Sequence, residues 1–339
     1  MFGGKVKLMN IIDLFCGIGG LSHGFLEKGH NLIAGIDNAK DLFDTFEANH
    51  PNSLLIKAGI EDVDKEVLTK HNISKEIDVV VAGIPCQSFS MAGYRIRENK
   101  KNDYDSRTYL YSHALRIFSI LKPKVILIEN VKGISTLKNG KIKEDIILGL
   151  EKLGYKTDFK ILNAINYGSC QKRQRAFFLA NNIGVDNIFP DYTHDINSHP
   201  TVWDKIKDVG DNLDNHEKRY LTGKVLERVK LIKPGQNWSS LPKNMQTSSK
   251  HSGAYGRLDP DKACPTLLTR FDTPPVGYVT HPYEDRTLTV REGARIQGFP
   301  DNFKIIGNKG SQYRQIGNAV PIEFSRALCG SIERMMETN

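Results

Sequence analysis

Cys86 lies where a reactive side chain would be expected in an open α/β sheet. The apolar run at residues 77–82 is typical of a buried strand, and the break at Gly83-Ile84-Pro85 separates that strand from the thiol. Sheets of this kind carry their chemistry at the carboxyl ends of their strands. A free cysteine is more often a small buried hydrophobe, so its position alone leaves both interpretations open.

A carboxylate and two guanidinium groups follow two later strands. Glu129 ends the apolar run at residues 124–128, where a carboxylate is unusual unless it has a partner or a function. Arg173 and Arg175 directly precede the apolar run at residues 176–180. Two residues apart on a strand, they are predicted to point to one face, although a solvated strand edge is the commoner explanation of a basic pair.

A glycine-rich loop between the first predicted strand and helix indicates a nucleotide site. It reads Asp13-Leu-Phe-Cys-Gly-Ile-Gly-Gly-Leu-Ser22, and Asp37 closes the second strand 20 residues after Gly17. This is the spacing at which a carboxylate binds ribose hydroxyls. The loop lacks the full G-x-G-x-x-G pattern, so an adenosine ligand without a pyrophosphate, such as S-adenosylmethionine, fits better than a dinucleotide. The alternative is a tight turn that only allows helix packing.

The first half of the chain alternates strand and helix patterns, which predicts a doubly wound, mostly parallel sheet. The predicted strands are residues 6–15, 31–36, 53–57, 77–82, 124–128, 160–163 and 176–180, and the helices are 20–28, 39–49, 62–71, 107–121 and 142–153.

A second, smaller domain is predicted where this alternation stops. Residues 185–285 are rich in proline and irregular, with one helical pattern at 220–231, whereas helical patterns return at 290–296 and 322–336. We therefore divide the chain into a catalytic and cofactor-binding domain, 1–184 plus 286–339, and a target-recognition domain, 185–285. Basic residues exceed acidic ones between 228 and 284, which suits a DNA-facing surface and an ordinary solvated one equally well.

Composition narrows the class of protein. The 339 residues carry a net charge of +8, which suits a nucleic-acid partner without requiring one. The 5 cysteines are far apart and form no C-x-x-C pair, which argues against a disulfide framework or a zinc site and for an intracellular protein. No apolar run approaches the ~18 residues of a membrane span. Residues 1–7 resemble a short leader, so Met9 is an alternative start.

Six motifs in register resemble the DNA cytosine-C5 methyltransferase family over nearly the whole chain. They are DLFCGIGGLS (13–22), GIPCQSFS (83–90), ENVKG (129–133), QKRQR (171–175), TVREGARIQGFPD (289–301) and QIGNAVP (315–321). The resemblance implies a Rossmann-like α/β domain dependent on S-adenosylmethionine, with S-adenosylhomocysteine as product and no metal.

The resemblance also implies residue roles. Cys86 would attack C6 of a flipped cytosine, Glu129 would hold the N3 and amino edge, and Arg175, assisted by Arg173, would bind the base carbonyl and the adjoining sugar-phosphate. Cofactor contacts are implied for Phe15, Gly17, Gly20, Asp37, Ile60, Pro85, Asn318 and Val320. DNA contacts are implied for Gln87, Ser90, Arg107, Thr266 and Arg270.

One departure from the family pattern concerns the adenine contact. Gly59-Ile60 stands where the family often has aspartate-isoleucine, so Glu61 or Asp62 could substitute for the acid.

The implied activity is methylation of duplex DNA by a bacterial, cytoplasmic monomer that associates with the nucleoid while it acts. A restriction endonuclease that cuts the same site would be its biological counterpart, with no direct contact between the two proteins. A tRNA cytosine-C5 methyltransferase of the same fold and a non-catalytic DNA-binding protein are the alternatives. The recognition sequence cannot be read from irregular loops, because no residue code links them to bases.

Overall fold

The computed structural model describes residues 7–73, 76–85, 110–195, 198–247 and 252–338. Packing divides the chain into two compact units. Unit 1 comprises Met1–Leu162, Gln174–Asp191 and Phe324–Asn339, and unit 2 comprises Asn163–Arg173 and Tyr192–Glu323. The functional division of the chain at residues 185 and 286 stays a prediction.

Unit 1 is built on a seven-stranded sheet with the order β3-β2-β1-β4-β5-β8-β6. Its strands are β1 (Asn10–Leu14), β2 (Asn31–Asp37), β3 (Leu54–Lys57), β4 (Val79–Gly83), β5 (Val125–Val131), β6 (Lys156–Asn163) and β8 (Gln174–Asn181). The pairs β3–β2, β2–β1, β1–β4 and β4–β5 are parallel, whereas β8 runs antiparallel to β5. The predicted doubly wound, mostly parallel sheet is confirmed.

Helices connect the strands of this sheet. They are α1 (Gly20–Glu27), α2 (Phe43–Asn49), α3 (Lys65–Lys70), α4 (Leu110–Leu121), α5 (Lys141–Lys152) and the C-terminal α10 (Ile322–Glu337). Apolar β-branched residues dominate the central strands, since a strand covered on both faces is buried at every position. Val79, Val80, Val125 and Ile126 are all fully buried, and Val80 and Ile126 belong to one hydrophobic core.

Unit 2 has little regular structure, as the sequence predicts for its irregular stretch. Its described elements are β7 (Gln171–Lys172), α6 (Val202–Ile206), α7 (Gly223–Lys230), β9 (Gly256–Arg257), β10 (Cys264–Pro265), β11 (Tyr278–Thr280), α8 (Val290–Ile296) and α9 (Lys309–Asn318). Its strands form two parallel pairs, β10–β7 and β11–β9. A small apolar cluster contains Val229, Ile232, Leu241, Ala254 and Tyr255.

Helix α9 is not predicted by the sequence pattern. Its sequence, KGSQYRQIGN, contains two glycines and few apolar residues, so helix propensity alone argues against it. The side chain of Asn308 caps the helix by accepting a hydrogen bond from the Ser311 backbone N–H at 3.0 Å. Tertiary packing buries six of its residues, which compensates for the weak propensity.

Among the described residues, no helix combines the length and the apolar character that crossing a bilayer requires.

Candidate active site

The carboxyl ends of β4 and β5 lie side by side in unit 1. Gly83, the last residue of β4, is paired in register with Glu129 of β5. The Asn130 side chain donates from Nδ2 to the carbonyl of Ile84 at 3.2 Å, which fixes the chain just before Pro85. Cys86 and the DNA contacts implied for Gln87, Ser90 and Arg107 lie outside the described residues.

Asn130 is a site residue that the sequence reasoning did not single out. It is almost completely buried at the end of an apolar strand, and its Oδ1 accepts a hydrogen bond from the Val131 backbone N–H at 2.8 Å. A buried amide must find partners for both its donor and its acceptor. An asparagine directly after the buried Glu129 was the available signal, because two adjacent polar residues rarely end so apolar a strand without a function.

Glu129 and Arg175 form a buried ion pair within unit 1. Arg175 Nε lies 3.0 Å from Glu129 Oε1, and the two side chains are only 13% and 10% exposed. The strands place them together, since Arg175 on β8 is paired in register with Val131, two residues after Glu129. Arg175 also donates from Nη1 to the carbonyl of Gln174 at 2.8 Å. The arrangement presents an oriented carboxylate beside an oriented guanidinium.

Arg173 has different partners from Arg175, and the prediction that both point to one face of a strand is wrong. Arg173 lies in the break between β7 and β8, where the strand alternation is interrupted. Its buried guanidinium donates to three carbonyls of unit 2, those of Leu267 (3.1 Å), Gly317 (3.3 Å) and Ala319 (3.2 Å). Its implied assistance to Arg175 stays a prediction.

The glycine-rich loop after β1 adopts conformations that suit glycine. Gly17 and Gly19 have φ of 56° and 87°, in the left-handed region that favours glycine. Phe15, at the start of the loop, also has φ 56°. A side chain at Gly19 would collide with the His50 ring, 2.2 Å away, whereas an added Cβ at Gly17 would meet open space. The loop therefore leaves its backbone accessible at Gly17, and Gly20 begins helix α1 directly after it.

Asp37 is bound to this loop. Its Oδ2 accepts from the Gly17 backbone N–H at 3.0 Å, and its Oδ1 accepts from the Ala39 N–H at 2.9 Å. Burial raises the pKa of Asp37 despite these hydrogen bonds. The carboxylate and the open space at Gly17 are adjacent, which fits a ligand with ribose hydroxyls.

The turn after β3 contains an acidic group at the position of the missing family aspartate. Ile60 is buried, and it begins a short 3₁₀ helix, Ile60–Asp62. An added Cβ on Gly59 would lie 2.6 Å from Oε1 of Glu61, so the Glu61 carboxylate folds back over the glycine. Arg116 holds this turn by donating to the carbonyls of Ile60 (2.8 Å) and Val63 (2.5 Å).

Asp13 is a second buried acid that the sequence reasoning did not assign. Its Oδ2 accepts from the Ser22 hydroxyl at 2.7 Å, whereas its buried Oδ1 has no hydrogen-bond partner among the residues that the structure describes. Burial, with a smaller contribution from Asp37, raises the pKa of Asp13 to about 7. An orphaned carboxylate oxygen beneath the glycine-rich loop is a costly feature, which is more typical of binding sites than of cores.

The remaining sequence-predicted residues belong to unit 2. Asn318 is exposed at the end of α9, and Val320 is buried two residues later. Thr266 is partly buried after β10, and its hydroxyl donates to the carbonyl of Lys172 at 3.0 Å. The Arg270 side chain is 61% exposed, with its Nε 3.2 Å from Asp272 Oδ1.

The basic excess of unit 2 is only partly available to a ligand. The Arg257 side chain is 6% exposed and donates to the carbonyls of Val229, Ile232, His281 and Glu284 as well as to the Asp285 carboxylate. Arg228 also binds inside the unit, to the Met245 carbonyl and the Tyr255 hydroxyl. These two arginines stabilise loops, so the net charge of the region overstates the positive charge that its surface offers to a ligand.

The seven-stranded sheet, the glycine-rich loop after β1 and the acid that ends β2 are consistent with the class of Rossmann-like, S-adenosylmethionine-dependent methyltransferases. Residues 9–334 match the family described as C-5 cytosine-specific DNA methylase, and the chain belongs to that family. It is a DNA (cytosine-5-)-methyltransferase.

Relatives and solved structures agree with this assignment. The chain is 32% identical to the type II methyltransferase M1.HphI of Haemophilus parahaemolyticus, over 96% of this chain and 87% of that protein. It is 30% identical to the type II methylase M.HgiDII of Herpetosiphon aurantiacus, over 96% of each. A solved structure described as a DNA modification methyltransferase encoded within an E. coli prophage matches with a TM-score of 0.69 at 26% identity, over 97% of this chain and 99% of that one.

Proposed function

We propose that the chain methylates C5 of a cytosine flipped out of a specific duplex DNA site, through a covalent step at Cys86. The observation that carries this proposal is the buried Glu129–Arg175 pair at the end of β5. Glu129 is in register with Gly83, three residues before Cys86 along the chain. A reacting base needs a nucleophile and oriented charges around one ring, and these residues supply both.

Cys86 would form a bond to C6, which makes C5 nucleophilic. Bound S-adenosylmethionine supplies the methyl group as an electrophile. Transfer of the C5 proton to solvent water and breakage of the sulfur–C6 bond then restore aromaticity and release the Cys86 sulfur, so every bond formed to the protein is broken again. The target atom cannot be reached inside a duplex, so the base must leave the stack.

Glu129 and Arg175 would orient the ring and balance the charge that arises on it. The Glu129 carboxyl group would accept a hydrogen bond from the amino group and donate its proton to N3 as the sulfur adds to C6, which neutralises the negative charge that the addition puts on the ring. The proton would return to Glu129 when the sulfur–C6 bond breaks. The guanidinium donates to the base carbonyl. Because the pair is already assembled and mostly buried, little reorganisation is needed when the base arrives.

The cofactor would be held by the glycine-rich loop and by the acids near it. Phe15 and Gly17 are partly exposed, and with the buried Gly20 they would form the loop against which the cofactor lies. Asp37 would accept from the ribose hydroxyls, and Ile60 and Pro85 would contact the adenine. Asn318 and Val320 complete the proposed set. Glu61 would replace the family's aspartate as the acceptor for the adenine amino group, since its carboxylate occupies the space above Gly59.

The biological role that fits best is protection of DNA from a restriction endonuclease with the same site. The support for this role is the similarity to type II methyltransferases over nearly the full chain. The protein would act as a monomer on nucleoid DNA in a bacterial cytoplasm. Sequencing methylated cytosines in DNA from cells that express the chain would identify the site.

A duplex with 5-fluorocytosine at that site tests the mechanism. Fluorine at C5 cannot leave as a proton, so the wild-type enzyme with S-adenosylmethionine should become covalently attached to the DNA. Cys86→Ala should give no adduct, whereas Cys329→Ala, which alters a buried thiol of unit 1, should still give one. Recovery of only non-covalent wild-type complexes would overturn the covalent mechanism, and preferential methyl transfer to tRNA would overturn the substrate class.

A further inference from the structure

Unit 2 brings two segments with different proposed ligands into direct backbone contact. The recognition segment, residues 266–270, carries the proposed DNA contacts Thr266 and Arg270. The cofactor segment, residues 318–320, begins at the last residue of helix α9. Gly317, the penultimate residue of that helix, is the point of contact: an added Cβ there would lie 2.5 Å from Thr269 Cα and 2.6 Å from the Leu268 carbonyl oxygen.

Helix geometry does not explain the glycine at position 317. Alanine is favoured over glycine in a helix interior by about 1 kcal/mol, so a glycine that propensity disfavours indicates a packing requirement. The atoms it approaches are backbone atoms, which cannot rotate aside as a side chain can. A single methyl group at Gly317 would therefore force the two segments apart.

Arg173 provides a second tie between the same segments. Its Nη1 donates to the Leu267 carbonyl in the recognition segment, and its Nη2 donates to the carbonyls of Gly317 and Ala319 at the cofactor segment. The side chain is 3% exposed. Buried hydrogen bonds from a charged donor are costly to lose, so a shift of one segment is resisted by the other.

Two buried glutamines link the recognition segment to the end of α9 through a separate set of hydrogen bonds. Gln171 Oε1 accepts from the Leu267 backbone N–H at 2.8 Å, and its Nε2 donates to Gln297 Oε1 at 3.0 Å. Gln297 then donates from Nε2 to the carbonyls of Ile316 (2.7 Å) and Ala319 (3.1 Å). The Leu267 N–H is thus linked to the end of α9 through the two glutamines, and the Leu267 carbonyl is linked to it through Arg173.

We propose that Gly317 positions the recognition segment against the cofactor segment, so that cofactor binding and DNA binding are energetically coupled within unit 2. The inference rests on the proposed function, because it requires that residues 318–320 contact the cofactor and that the recognition segment contacts DNA. Ordering of either segment by its ligand orders the other through the contact at Gly317 and the side chains that bridge it. The coupling is reciprocal by thermodynamic necessity.

The test measures DNA affinity by fluorescence anisotropy, with a labelled duplex carrying the methylated site, in the absence and presence of saturating S-adenosylhomocysteine. We expect the cofactor product to tighten wild-type binding by about fivefold or more, within the usual range of allosteric coupling. Gly317→Ala should reduce this ratio toward one. A merely structural defect would weaken binding equally in both conditions and leave the ratio unchanged.

Gly310→Ala is the matched control, because it adds the same methyl group to the same helix. Its Cβ would meet only the side chains of Asn308 (3.5 Å) and Arg314 (3.7 Å), which are ordinary contacts. This variant should keep the wild-type ratio. A wild-type ratio in Gly317→Ala, or a ratio of one in the wild type, would overturn the coupling.

Hydrogen exchange on the wild-type protein keeps the proposal testable if Gly317→Ala does not fold. S-adenosylhomocysteine should increase protection of peptides covering residues 264–270, and unchanged exchange there at saturation would overturn the coupling. The proposed function fails in a different way. If the wild-type protein bound neither the cofactor nor the duplex, the function itself would be wrong, whereas methylation with uncoupled binding contradicts only this inference.

Discussion

Arg175 on β8 and Glu129 on β5 hold each other in place at the carboxyl end of β5. Arg175 Nε lies 3.0 Å from Glu129 Oε1, and Arg175 Nη1 donates to the carbonyl of Gln174 at 2.8 Å. Hydrogen bonds between ionised groups are about twice as strong as those between neutral groups, so the contact orients the carboxylate and the guanidinium before any ligand binds.

Glu129→Gln should separate catalysis from folding at this pair. The amide keeps the size of the side chain but has no carboxyl proton to donate to N3 of the attacked ring, so we expect methyl transfer to fall by about 100-fold or more. Single-turnover transfer of labelled methyl groups to duplex DNA measures this. A variant with at least half of wild-type activity would contradict the assigned role.

Asp78→Asn is the control for that measurement. Asp78 also forms a partly buried ion pair, with Lys124 at 2.8 Å, but it precedes β4 at the opposite end of the sheet from Glu129. Loss of that charge should lower the melting temperature while the activity per folded molecule stays at the wild-type value.

Glu61→Gln should weaken cofactor binding. In the proposed cofactor site the carboxylate above Gly59 would accept from the adenine amino group. A hydrogen bond to a charged acceptor contributes about 1.5–3 kcal/mol, so we expect the dissociation constant of S-adenosylmethionine to rise about tenfold. Isothermal titration calorimetry measures the constant. The neighbouring Asp62→Asn serves as control and should bind like the wild type; equal effects of both variants would argue against a specific contact by Glu61.

Arg257 and Arg270 both lie in the basic part of unit 2, but we expect Arg257 to stabilise the fold and Arg270 to contribute to DNA binding. Arg257→Lys leaves several of its carbonyl partners without a donor, so the melting temperature should fall clearly while the salt dependence of DNA binding stays unchanged. Arg270→Ala removes an exposed surface pair of little energetic value. It should leave the melting temperature nearly unchanged and reduce the slope of log K against log salt by about one.

Thermal melts and binding titrations at several salt concentrations, carried out on both variants, check this pair of expectations. A reduced salt slope in Arg257→Lys would mean that this arginine reaches a phosphate after all.

The central sheet was predictable because its strands are apolar at nearly every position. Both faces of these strands are covered, so residues such as Val80 and Ile126 are fully buried. The sequence of each strand is therefore a continuous apolar run bounded by glycine or polar residues. The position of Glu129 followed from the same pattern. The ends of elements were less predictable: the first strand begins at Asn10 rather than at residue 6 of the predicted range.

Arg173 shows why the rest of the site could not be predicted. Its three carbonyl partners are 94, 144 and 146 residues away in sequence, and no local pattern records them. Arg173 lies in the break between β7 and β8 rather than on a strand, and that break has no strong sequence signal. Helix α9 illustrates the same limit, since long-range burial rather than propensity stabilises it.

Asp13 should make the stability of unit 1 depend on pH in a characteristic direction. Burial raises its folded-state pKa to about 7, well above the value of 3.8 that applies in the unfolded chain. The protonated form is therefore favoured in the folded state, and its contribution to stability is fully present below about pH 4. This contribution is lost as the pH rises through 7, because an ionised carboxylate must then be buried.

Asp13→Asn removes this titration while keeping a polar group for the Ser22 hydroxyl. We expect the variant to be more stable than the wild type at pH 8, with the advantage shrinking as the pH falls to 5. The folded and unfolded pKa values of Asp13 differ by about three, so the pH-dependent gain in the free energy of unfolding is at most about 4 kcal/mol. Urea unfolding at both pH values measures it, with the exposed Asp44→Asn as control. A stability difference that does not change between pH 5 and pH 8 would mean that Asp13 is ionised throughout, and that a partner for its buried Oδ1 compensates the charge.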